Sequence, residues 1–79
     1  MPNRCATINE ITNAINTIDA CIPYTMEEIV FHVEMTLGRR FSVDPRDVRT
    51  VVDALRKKAT CPYMDSFVEY DTQFYVYYD

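Results

Sequence analysis

Apolar positions recur at helical spacing three times along the chain, and then the period changes. Ile8, Ile11, Ala14, Ile15 and Ile18 form the first stripe. Thr7 and Glu10 stand three residues apart just before it, as in a capping box, so the spacing predicts a helix starting at Thr7. Asn9, Thr12, Asn13 and Asn16 make its neutral polar face. Cys21-Ile22-Pro23 ends that helix, because proline disfavours helical geometry in the residue before it. A short extended segment is expected around Ile22 to Tyr24.

The second stripe is Met26, Ile29, Val30, Val33 and Leu37. Thr25 and Glu28 repeat the capping box, Tyr24 and Ile29 have the spacing of a hydrophobic staple, and Gly38 stands where a helix end favours left-handed backbone. Phe31 and Met35 fall on the opposite face beside Glu28 and His32. Two large apolar groups there imply a second packing surface or a contact with another chain. His32 is a lone histidine and is assigned no role.

The third stripe is Val48, Val51, Val52, Leu55 and Ala59. Asp44 is placed to be the N-cap, Pro45 falls at the first helical position, and Val43 and Val48 make a staple. A helix from Pro45 to Lys58 follows. Beyond Thr60-Cys61-Pro62 the pattern becomes that of strands, rich in aromatic and β-branched residues: Phe67 to Tyr70, then Gln73 to Tyr78. With Asp71-Thr72 as a two-residue turn, Phe67 would stand opposite Val76 and Glu69 opposite Phe74. Phe67, Phe74, Val76 and Tyr78 would then face the helices, and Val68, Tyr70, Tyr75 and Tyr77 would face outward.

Charge sharpens this picture. The chain carries a formal −4, yet seven of its eight basic residues lie between Arg39 and Lys58. With three acids among them, that stretch is +4, and the remainder, one base and nine acids, is −8. The third helix therefore buries one side and offers Arg46, Arg49, Thr50, Asp53 and Lys57, flanked by Arg56, on the other. Such a patch on an acidic protein speaks to partners rather than to fold.

The order helix, extended segment, helix, turn, basic helix, hairpin resembles a winged helix-turn-helix domain. The resemblance is carried by Thr25 to Gly38, by Asp44 to Lys58 and by the hairpin from Phe67 to Tyr78. It implies an α+β fold, mainly helical, with all 79 residues in one domain. It also implies a third helix that enters the major groove of duplex DNA. Arg46, Arg49, Thr50 and Asp53 would face base edges, and Arg39, Arg40, Arg56 and Lys57 would meet phosphates. A transcriptional regulator acting as a homodimer is the expected role, since pairing two half-sites is the usual remedy for the few base contacts of one such domain.

Two departures bear on that expectation. The Gly38 to Val43 connection exceeds the three or four residues of a simple helix-turn-helix turn. The hairpin is acidic, with Asp65, Glu69, Asp71 and Asp79 and no base. An alternative from another class follows: a protein-interaction module, an adaptor or inhibitor of the phage or plasmid type. Its contacts would be Phe31, Met35, Tyr70, Tyr75 and Tyr77.

Other classes find little support. There is no glycine-rich phosphate loop and no spaced set of metal ligands, so neither an enzyme, a cofactor nor a small-molecule substrate is expected. Cys5, Cys21, Cys61 and His32 are too widely spaced to seed a zinc site. The three cysteines are expected to be reduced, partly buried thiols. No apolar run approaches the ~20 residues that span a bilayer, and the first ten residues lack a signal-peptide core. A cytoplasmic protein with no membrane partner is the resulting expectation.

Overall fold

The computed structural model describes residues 4–79. Its elements run β1 (Arg4–Cys5), α1 (Ile8–Ile15), β2 (Pro23–Tyr24), α2 (Met26–Leu37), β3 (Phe41–Ser42), α3 (Pro45–Arg56), β4 (Tyr63–Glu69) and β5 (Thr72–Tyr78). This is an α+β fold in which three helices precede an antiparallel hairpin, the order found in winged helices.

The helix starts are those the caps foretold. Glu10 N–H donates to Thr7 Oγ1 at 3.2 Å while Thr7 N–H donates to Glu10 Oε1 at 3.0 Å. Thr25 and Glu28 repeat the pair at 3.2 and 2.9 Å. Each box satisfies two donors that a helix start otherwise leaves unpaired. At α3 the Asp44 carboxylate accepts from Arg46 N–H at 2.9 Å, with Pro45 in the first turn. The ends differ more. Gly38 has φ +86° but ψ −179°, an extended arrangement open to glycine rather than the left-handed helical one expected. α3 stops at Arg56, short of Lys58, and Ala59 is exposed instead of extending the stripe.

The three apolar stripes meet in one core. Ile11 and Ile15 of α1, Ile29 and Val33 of α2, and Val48 and Val52 of α3 are all inaccessible to solvent. Ile8, expected in the first stripe, remains exposed. His32 joins α1 to α2: its Nε2 lies 2.9 Å from Thr17 Oγ1 and 3.1 Å from the Ala14 carbonyl.

The long Gly38 to Val43 connection has a physical reason. Part of it is β3, which pairs in parallel with β1, placing Arg4 beside Phe41 and Cys5 beside Ser42. Arg4 N–H donates to the Arg40 carbonyl at 3.0 Å, and Ala6 N–H to that of Ser42 at 2.9 Å. The Arg4 guanidinium lies 4.7 Å from the centre of the Phe41 ring and pairs with Glu10 at 2.8 Å.

The second sheet runs β2-β5-β4. β2, the extended segment expected near Tyr24, pairs antiparallel with β5 through Pro23 and Val76 and through Tyr24 and Tyr75. The hairpin corrects two expectations. Phe67 pairs with Phe74 and Glu69 with Thr72, so the turn is Tyr70-Asp71, not Asp71-Thr72. Both turn residues have positive φ, 53° and 59°, which matches the right-handed twist of the flanking strands. The second correction is the face. Met64, Tyr75 and Tyr77 pack on the helices, while Phe67 stacks on Phe74 (5.4 Å) and Tyr63 on Tyr78 (5.0 Å) among the side chains on the opposite face. Aromatic residues occupy both faces, so alternation alone carried no polarity to choose between them. The deciding contacts are tertiary: Tyr77 donates its hydroxyl to Asn16 Oδ1 at 2.9 Å, and the Arg56 guanidinium sits 5.9 Å from the centre of the Tyr75 ring.

Candidate nucleic-acid interface

The burial of Val48, Val51, Val52 and Leu55 fixes how α3 is turned. Arg46 and Arg49 project from its first two turns and are exposed. Lys57 caps its C-terminal end, with Lys58 next to it. Arg39 and Arg40 lie on the turn that leads from α2 into β3. Among the described residues, none of these six basic groups has a carboxylate within ion-pairing distance; the two ion pairs present involve Arg4 and Arg56.

The remaining expected contacts are arranged differently. Asp53 is half-buried and lies 3.7 Å from Arg56, whose guanidinium also covers Tyr75. Arg56 is thus partly committed to the fold. An exposed pair of this kind contributes little to stability, about 0–1 kcal/mol, so it holds the two side chains in place only weakly. Thr50 is exposed, but its hydroxyl donates back to the Arg46 carbonyl at 2.9 Å. It lines a shallow apolar groove between α1 and α3 with Ile8, Thr12, Ala54, Leu55 and Lys58. Thr50 therefore belongs to the flank of α3 beside α1.

Such an array can do two things. A guanidinium offers paired donors to phosphate oxygens or to the edge of guanine, and lysine offers a point charge to phosphate. Comparison of the chain with family models, with curated proteins and with solved structures finds no match. The arrangement of these side chains is accordingly what bears on function.

The residues expected to touch another protein separate into three groups. Phe31 and Met35 are 61% and 68% exposed and lie in one open groove with Tyr24, Glu27, Glu28 and His32. Tyr70, 92% exposed, sits at the hairpin turn. Tyr75 and Tyr77 are 1% and 3% exposed; the expectation that they form an outward surface is wrong, because that face of the hairpin carries the core. The hairpin tip lies against the start of α2, where Asp71, Thr72 and Gln73 share a groove with Thr25, Met26 and Glu27. Asp71 of the tip and Glu27 of α2 thereby line the same groove.

The cysteines correct another expectation: all three are exposed, free thiols rather than partly buried ones. Among the described residues, no three His, Cys, Asp or Glu side chains are grouped to hold a metal ion. No helix is long and apolar enough to cross a membrane. Sequence reasoning placed Tyr24 in the extended segment and in a staple, and missed it as a wall of the Phe31 groove. It also missed β1, two residues long and without a periodic signal.

Proposed function

We propose that the protein binds duplex DNA as a winged helix-turn-helix regulator, with α3 as the reading helix. The observation that carries this reading is the exposed pair Arg46 and Arg49 on the first turns of α3, with Arg39, Arg40, Lys57 and Lys58 before and after the helix in the chain; among the described residues none of the six has an ion-pair partner. Arg46 and Arg49 occupy its first turns, the part of a recognition helix that reaches base edges. Arg39, Arg40, Lys57 and Lys58 flank them and would take phosphates. Arg56 lies over Tyr75 and near Asp53, and Thr50 bonds back to its own helix, so we assign these three smaller parts. The acidic hairpin tip, with Asp71 beside Glu27 of α2, would be repelled by phosphate, so contact through α3 rather than through the wing is the mode we favour.

A titration of mixed-sequence duplex DNA, followed by fluorescence anisotropy at two salt concentrations, tests the reading. Each phosphate contact contributes about 0.9 to the slope of log affinity against log salt. Four flanking contacts therefore give a slope of roughly −3 to −4, and Lys57→Ala should flatten it by about one. Absence of salt-sensitive binding at low ionic strength would remove the proposal.

A second reading, a protein-interaction module, is favoured by the exposed Phe31 and Met35 on the acidic side of α2. Under it, Met35→Asp would abolish capture of a protein partner while no DNA binding is detectable.

A further inference from the structure

The exposed side of α2 carries Glu27, Phe31 and Met35, each four residues from the next, and Arg39 follows in the turn beyond the helix end. Residues four apart lie one above another on a helix. The grooves along this side share Met35. Glu27 and Phe31 line one with it, and Arg39 and Phe41 line the other. Arg39 stands one residue past Gly38, where the backbone leaves the helix, and its side chain shares a groove with Glu34, Met35 and Phe41. All four side chains are exposed, and neither Glu27 nor Arg39 has an ion-pair partner among the described residues.

Acid, apolar, apolar, base is a self-complementary sequence. In a two-fold interface the same patch serves both copies, so residue i meets j while j meets i. A two-fold axis crossing α2 midway between Phe31 and Met35 sets two α2 helices antiparallel. Phe31 of each copy then meets Met35 of the other, and Glu27 of each falls opposite Arg39 of the other. The same axis puts Glu34 opposite His32, so no acid of this face meets an acid at the same level. We propose that this face of α2 is the interface of a homodimer, with an apolar centre of two Phe–Met contacts closed at each end by a Glu27–Arg39 pair. The pair takes Arg39 away from the phosphate contacts proposed above, so the dimer and DNA compete for that side chain and the dimer is tested without DNA.

A second copy answers the charge order better than an unrelated chain. A purely cationic partner would satisfy Glu27 but oppose Arg39. One 12-residue helix is ~18 Å long, so the patch falls below the about 1,200–2,000 Å² of a stable interface. The dimer is therefore weak, with a Kd of about 10–100 μM.

Sedimentation equilibrium of the full chain without DNA, up to several hundred micromolar (roughly tenfold above that Kd), provides the test. Glu27→Arg puts arginine opposite arginine twice per dimer, and Arg39→Glu puts glutamate opposite glutamate twice. Each variant alone should associate about tenfold more weakly than the wild type. An equimolar mixture of the two restores both opposite-charge pairs, and should dimerise within about threefold of the wild type. Phe31→Asp should leave a monomer, with circular dichroism confirming that it folds. A monomeric wild type over this range overturns the proposal and leaves the patch to another protein. So does a wild-type dimer that either single reversal leaves unchanged, or a mixture that fails to recover association. Loss of DNA binding with the dimer intact would count only against the role of α3.

Discussion

Replacing aromatic residues on the two faces of the hairpin tests which face carries the core. Tyr77 is almost wholly buried, and its hydroxyl donates to Asn16. Truncation of a buried aromatic side chain to alanine costs about 3–5 kcal/mol. Phe67 on the other face is 40% exposed and touches chiefly Phe74. Full burial of such a side chain stabilises by about 1.5–3 kcal/mol, so with two-fifths of it in water Phe67→Ala should cost about 1–2 kcal/mol. For 79 residues, total stability is of order 4–12 kcal/mol, so Tyr77→Ala removes a large share of it. Tyr77→Phe isolates the hydroxyl. Asn16 is exposed and can turn to water, so the loss should stay near 0.5–1.5 kcal/mol. The assay is urea denaturation followed by far-ultraviolet circular dichroism. With a slope of about 1 kcal/mol per molar urea, Tyr77→Phe and Phe67→Ala should each move the midpoint by about 0.5–2 M, while Tyr77→Ala should move it by about 3–5 M. Should Tyr77→Ala fail to fold at all, Tyr77→Leu keeps the comparison. If Phe67→Ala proved the more damaging of the two truncations, the face assignment would be wrong.

Arg49→Ala should lower discrimination at one base position by about 1–3 kcal/mol and leave the urea midpoint unchanged, as competition with single-base operator variants would reveal. The Glu10 carboxyl is held below its ordinary value of 4.5, chiefly by the Thr7 N–H of the capping box, with help from Arg4. Its contribution is therefore present above pH 4.5 and is lost as pH falls through the lower folded value. Glu10→Gln should accordingly reduce stability at neutral pH, and the gap from wild type should close on acidification. At the alkaline end, burial first, then Asp79 and Cys61, raises the Tyr77 phenol above its ordinary 10.0. Stability should be full below pH 10.0 and fall as pH rises through the folded value, and a urea series across that range should show a smaller fall for Tyr77→Phe.

Much of the backbone plan is local and was legible in the chain. The boxes Thr7–Glu10 and Thr25–Glu28 and the cap Asp44-Pro45 fix helix starts through neighbours three residues away at most. The stripes from Ile11, Ile29 and Val48 give the buried faces, because a helix repeats its faces whatever lies opposite. Charge concentration near α3 is likewise a property of composition. Only the tertiary structure decided the rest. The sheet faces needed the helices, since Tyr75 and Phe74 are equally acceptable to a strand and only Asn16 and the core select between them. The turn at Tyr70-Asp71 needed the register set by Phe67 on Phe74 and by β2 on β5. β1 exists only because β3 lies beside it, and a two-residue strand has no pattern of its own. The availability of the basic groups was also beyond the sequence. Arg56 is drawn to Asp53 and Tyr75, Arg4 to Glu10 and Phe41, while Arg46 and Arg49 stay unpaired because the core turns their side of α3 to solvent.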